Sequence, residues 1–147
     1  MAYKRPESVL VVVYSDQHQV LLLQRKDDPE FWQSVTGTLE DGETPAMTAF
    51  REVKEELGID LSDDPMAIID CHTVNQFAIR PRWRYRYPPN TYSNTEYVFC
   101  TQISQSATII LTEHLALEWL SKQQAIERAW SPSNRRAIEA FVPEPKS

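Results

Sequence analysis

Three carboxylates, Glu52, Glu55 and Glu56, fall within the stretch R-E-V-K-E-E-L-G. At about 100° per residue in a helix, Glu52 and Glu56 project together and Glu55 flanks them. Like charges this close repel one another, and near a helix C-terminus they gain little from the macrodipole. Two readings are open. One is a solvated acidic face. The other is a cation site, for which hard oxygen ligands without Cys or His suit Mg²⁺, with Mn²⁺ as a possible substitute, rather than zinc. The acids sit beside an apolar stripe rather than opposite it. A loop containing Gly37 and Gly42 precedes them, and glycine lets backbone approach a ligand closely. Both features favour the cation.

The element that carries these acids has clear ends. Thr44-Pro45 is a helix start, a hydroxyl cap followed by a residue whose fixed φ suits the first turn. Leu57-Gly58 is a helix stop. Between them Ala46, Ala49, Phe50, Val53 and Leu57 form an apolar stripe that must face a core. Arg51 and Glu55 make an i, i+4 pair.

Residues 37–59, G-T-L-E-D-G-E-T-P-A-M-T-A-F-R-E-V-K-E-E-L-G-I, resemble the Nudix box at every fixed position: Gly37, Glu43, Arg51, Glu52, Val53, Glu55, Glu56, Gly58 and Ile59. The resemblance implies a hydrolase that uses divalent metal to cut a diphosphate linkage. It implies that Glu52 and Glu56 are metal ligands, and that Glu55 is a third ligand or orients the water. Arg51 would hold the box glutamates and Glu43 would tie loop to helix, with Gly37 and Gly58 structural. Nudix proteins often carry a further glutamate near an E-H-x4-W pattern, which makes Glu113 the first candidate for metal ligand and general base, ahead of Glu118. Glu55 is the second candidate base. Four other segments, D-D-P-E-F-W-Q-S-V-T-G, S-N-T-E-Y-V-F-C, T-E-H-L-A-x-x-W-L and S-N-R-R-A-I-E-x-F, look like a bacterial Nudix subfamily of folate biosynthesis. That likeness implies release of pyrophosphate from dihydroneopterin triphosphate, with some action on dATP and other nucleoside triphosphates. V-T-G in place of P-G-G before the box lowers an oxidised-nucleotide reading. The alternatives are another Nudix pyrophosphohydrolase or a non-catalytic Nudix-fold binding module.

The rest of the chain supplies a frame and candidate contacts. Ser8 to Tyr14 is a β-branched run, hence a buried strand, and Gln19 to Arg25 returns after a turn at Asp16-Gln17-His18. Lys4, Arg5 and Arg25 lie at strand edges as solvated cations or phosphate contacts. Thr36 precedes the box glycine and is either plain strand or a substrate contact. Met66 to Phe77 and Thr91 to Ile103 read as strands, with Glu96 expected to be a structural partner. Between them, Arg82, Arg84 and Arg86 alternate with Trp83, Tyr85 and Tyr87. An extended ribbon would put cations on one side and rings on the other. Phe77 and Arg80, at its root, are placed for a pocket. Ser121 caps a helix from Lys122 to about Trp130, and Ser131-Pro132 starts another to about Phe141. The Ser131 end, with Ser133, Arg135 and Arg136, is a candidate anion site. The three histidines are read as structural, since none has a metal-spaced partner.

At 147 residues the chain is expected to be one domain over 1–147, with a mixed sheet between helices. This is the α/β/α sandwich that the resemblance also implies. Net charge is −6, and residues 40–64 hold nine acids against Arg51 and Lys54. Such a surface needs cations before a polyphosphate can approach, and it disfavours nucleic acid. No apolar run is long enough to span a membrane. The opening M-A-Y-K-R-P has no apolar h-region, and Cys71 and Cys100 read as reduced thiols, so the expected compartment is cytoplasmic. The expected partner is a small-molecule polyphosphate, a pterin or purine triphosphate, with no membrane partner.

Overall fold

The computed structural model describes residues 3–145. A seven-stranded sheet runs in the order β3-β2-β1-β6-β5, with β4 added beside β1 and β7 beside β2. The strands are β1 (Glu7–Ser15), β2 (Gln19–Arg25), β3 (Trp32–Gln33), β4 (Val35–Thr38), β5 (Ile68–Ala78), β6 (Ser93–Ile103) and β7 (His114–Ser121). β1 and β6 are parallel and the other pairs antiparallel, so the sheet is mixed. Helix α1 (Pro45–Leu57) covers one face; α2 (Lys122–Arg128) and α3 (Pro132–Phe141) cover the other. The fold is the α/β/α sandwich expected.

β1 explains the layering. Val9, Val11 and Val13 pack with α1 through Ala49, Val53 and Leu57, while Leu10 and Val12 pack with Ala125, Ile138 and Val142 of the α2–α3 layer. A strand covered on both faces carries no polar alternation, and this one shows none.

Thr44 caps α1 by accepting from the Met47 amide, and Gly58 ends it at φ 72°. A Cβ at position 58 would also stand 3.2 Å from Ile110 Cβ. That contact is part of a seam: the Ile110 amide donates to Leu57 O at 2.9 Å, and Thr112 Oγ1 donates to Glu55 O at 2.8 Å. The seam carries the segment before β7, with Glu113, to the end of α1 that holds the acids.

Several local expectations change. Ala46 is exposed, because the buried stripe of α1 takes Thr48 together with Ala49, Val53 and Leu57. β5 bulges between Asp70 and Thr73, with His72 at φ 52°. α2 stops at Arg128, which frees Trp130 to turn toward the sheet. The Arg/aromatic segment is not an extended ribbon. Pro81–Arg86 forms a 3₁₀ helix, opened by a proline and paired with no strand among the described residues. Cys71 is half-buried and Cys100 is buried, and both are free thiols as expected.

α3 is locked to the β3–β4 corner by Asn134, which is fully buried. Its Oδ1 accepts from the Ser34 amide at 2.9 Å and its Nδ2 donates to Ser34 Oγ at 2.9 Å. Removing the amide leaves a buried N–H without a partner, which costs about 2 kcal/mol. Asn134→Ala is therefore expected to lower the urea midpoint with an unchanged m-value.

Candidate active site

Arg51 is the hub of the acidic helix. Its Nε lies 2.7 Å from Glu43 Oε2 and 3.1 Å from Glu40 Oε1; its Nη1 lies 2.6 Å from Glu52 Oε1 and 3.2 Å from Glu55 Oε2. Nη2 donates to Thr38 O at 3.0 Å, which pins α1 to the end of β4. Glu43 also accepts from the Glu40 amide and the Thr48 hydroxyl. The Arg51 guanidinium, with these donors, holds the Glu43 carboxyl at about 2. Glu43 thus stays an anion that fastens loop to helix.

Glu52 and Glu56 are in the opposite condition. Both are buried, at 8% and 2% exposure. Burial pushes Glu52 up to about 7, and burial together with repulsion from Glu52 and Glu113 pushes Glu56 well above the usual carboxylate range. Among the described residues Glu56 Oε1 has no hydrogen-bond partner, and its near neighbour is His114 Nε2 at 3.6 Å. Burial and Arg25 lower the His114 pKa, so the imidazole is neutral at pH 7 and supplies no counter-charge. Arg51 shares its charge among Glu40, Glu43, Glu52 and Glu55.

Gly37 makes the room. A Cβ there would fall 2.1 Å from Glu52 Cδ, so the Glu52 carboxylate occupies the space that a side chain would fill. A buried acid pair only partly compensated by a shared guanidinium, a carboxylate oxygen without a donor and an all-oxygen ligand set together fit a hard divalent cation. Among the described residues no three His, Cys, Asp or Glu side chains already form a closed metal cluster.

The acids open into a cavity of about 1100 Å³. Glu52, Glu56, Glu113, Gly37 and Arg51 line it. So do the candidate contacts Lys4, Arg25, Thr36, Phe77, Arg80 and Ser131. Glu55 is exposed and does not line it; Glu43 and Gly58 are outside it as well. Lys4 is pulled below the usual lysine range by burial of its ammonium and by Arg86 and Arg25. Arg25 grips Asp27 through two bonds of 2.8 and 2.7 Å and touches Gln33. Ser131 Oγ accepts from the Asn134 amide, as a plain cap. Arg135 turns back to the Ala129 carbonyl, and neither Arg135 nor Arg136 lines the cavity.

Sequence reasoning missed four residues here. Gln33, buried, donates to Thr36 Oγ1 at 3.0 Å and accepts from Trp130 Nε1 at 3.0 Å. Trp130 stacks on Phe31, with centroids 4.5 Å apart and planes at 8°. Arg80 lies over both rings, 5.1 Å from Trp130 and 5.2 Å from Phe31, and 5.8 Å from Trp83. His114, read as merely structural, sits against Glu56. Only His114 left a signal in the sequence, as the neighbour of Glu113.

The NUDIX domain family model matches residues 4–141. The chain is 50% identical over 141 residues to the dihydroneopterin triphosphate diphosphatase of Escherichia coli K12, covering 95% of this chain and 94% of that one. It is 44% identical over 143 residues to the enzyme of the same name from Haemophilus influenzae, covering 97% and 90%. The solved E. coli dihydroneopterin triphosphate pyrophosphohydrolase superposes with a TM-score of 0.90 at 49% identity, covering 97% of this chain and 98% of that one. With its box folded as a loop and helix over a mixed sheet and its family matched along nearly its whole length, this chain belongs to the Nudix family.

Proposed function

We propose that the protein hydrolyses dihydroneopterin triphosphate to dihydroneopterin monophosphate and pyrophosphate, as a Mg²⁺-dependent, cytoplasmic enzyme of folate biosynthesis. It acts also on dATP and other nucleoside triphosphates. The observation that carries this is a buried acid pair, with only a shared guanidinium against Glu52 and none against Glu56, opening into the same cavity as the Trp130 ring, Lys4 and Arg80. The identity to the two bacterial diphosphatases supports the choice of substrate.

Glu52 and Glu56, with Glu113, would hold Mg²⁺ (or Mn²⁺), and the ion would neutralise phosphate oxygens and acidify a water. The chain's own groups do the rest. Lys4, Arg25 and Arg80 counter the polyphosphate charge, and the Thr36 and Ser131 hydroxyls offer neutral hydrogen bonds. Phe77 and Trp130, the latter backed by Phe31, border the ring. Glu113, which lines the cavity, accepts the proton of the attacking water; Glu55 is the second candidate, displaced outward. The water oxygen bonds to phosphorus, the bridging P–O bond breaks, and pyrophosphate leaves. Positioning and charge stabilisation supply most of the acceleration in such reactions.

The direct test is Mg²⁺-dependent pyrophosphate release, comparing dihydroneopterin triphosphate with dATP. Preference for the pterin is expected, and no release from either sinks the proposal. Glu56→Gln is expected to keep its circular dichroism and lose turnover by about a hundredfold or more. Because it removes an unpaired buried charge, its metal-free form should melt higher than wild type at pH 8. Gly37→Ala forces the Glu52 carboxylate aside, so Mg²⁺ binding should weaken roughly 10- to 100-fold by calorimetry.

The Glu52 carboxyl rises from 4.5 to about 7 on folding. A carboxyl that binds its proton more tightly when folded stabilises fully below the lower value and loses that contribution as pH rises through the upper one. Without metal, the melting temperature should fall between pH 5 and pH 8. Added Mg²⁺ should restore more at pH 8 than at pH 5, as read by thermal unfolding.

A further inference from the structure

Resting on the proposal that the substrate is a pterin triphosphate, we propose that Glu96 is the specificity-determining residue: its carboxylate accepts hydrogen bonds from the ring N–H and the exocyclic amine of the 2-amino-4-oxo edge. Glu96 is 5% exposed and lines the cavity. Asn75 Nδ2 donates to its Oε1 at 3.3 Å. Burial raises its pKa above the usual carboxylate value, opposed by the Ser133 hydroxyl and Asn75 and, to a lesser extent, by Arg136. Among the described residues it makes no ion pair within 4.0 Å. A carboxylate has about four acceptor sites, so these donors leave capacity. A buried carboxylate held by neutral donors alone is costly, whereas two parallel N–H groups from a ligand match its geometry.

Register puts it at the right distance. Glu96 pairs with Ser8 of β1, and Ser8 pairs with Thr38 of β4, the neighbour of Gly37. Glu96 is thus two strand spacings, roughly 10 Å, from the strand that makes room for Glu52. A pterin ring with its three-carbon side chain is of this length, so the ring edge can meet Glu96 while the phosphates reach the acidic helix. Guanine presents the same two donors. Hypoxanthine lacks the amine, and adenine offers a ring acceptor where a donor is needed.

The test measures kcat/KM with Mg²⁺ for dihydroneopterin triphosphate, dGTP, dITP and dATP, on wild type and Glu96→Gln. It also titrates neopterin, which has the ring edge but no phosphate, by its fluorescence. Wild type should prefer dGTP to dITP by about tenfold or more. In Glu96→Gln the ratio of dihydroneopterin triphosphate to dATP should fall roughly 10- to 100-fold, and neopterin binding should weaken by a similar factor. Equal loss on all substrates, as a merely structural residue would give, overturns the proposal. If the variant does not fold, wild type decides: no discrimination between dGTP and dITP overturns it. A wild type that cleaves dATP but not the pterin removes the substrate proposal alone. The neopterin titration then still rules on Glu96, with binding that the substitution weakens supporting the role and unaffected or absent binding refuting it.

Discussion

Two carboxylates buried side by side on one helix face are the constraint around which this molecule is arranged. Glu52 and Glu56 cannot both be charged in a dry interior without a cation among them. Arg51 supplies only part of it, because the guanidinium that touches Glu52 is divided among three other carboxylates and the Thr38 carbonyl, and none of it reaches Glu56. Its task is mechanical: it clamps the loop to the helix so that the acids face one place. Gly37 vacates the volume one acid needs. The Ile110 and Thr112 seam then delivers a further acid, Glu113, to the same place from the far end of the chain.

Across the cavity the charges are treated differently. Arg25 is paired with Asp27, and Arg82 with Asp28. Arg80 makes no ion pair among the described residues and is held instead by ring faces. Aromatic quadrupoles can orient a guanidinium without neutralising it, so its full charge remains for an anion. One wall therefore carries more carboxylate than Arg51 can balance and the other keeps a free guanidinium, a polarity that suits a ligand with a polyphosphate and a flat ring.

The box, its helix and its caps were legible because every signal there is local: Thr44-Pro45, Gly58, and acids at helical spacing. Strands β1, β2, β5 and β6 were legible from apolar, β-branched and aromatic runs, whereas β7 and the two-residue β3 were not read as strands. The Arg/aromatic segment was misread because its alternation has period two, whereas Pro81 and the absence of a partner strand favour a 3₁₀ turn. Side chains three apart eclipse in that helix. Arg80, Trp83 and Arg86 consequently line the cavity together, while Tyr85 is 73% exposed. The Gln33, Trp130 and His114 contacts join segments up to 97 residues apart, and nothing short-range encodes them.

This contrast reaches back to the sheet. β1 is apolar on both faces, so its own pattern barely fixes how β4 pairs with it. A slip of one residue would turn Thr36 and Thr38 to the α1 side and present a side chain where Glu52 now lies. What forbids the slip is outside both strands: Asn134 holds the Ser34 corner, and Arg51 holds the Thr38 carbonyl. The clamps that settle register also set the distance between the acidic helix and Glu96, so the stability of the fold and the length of ligand it can span are fixed by the same few contacts.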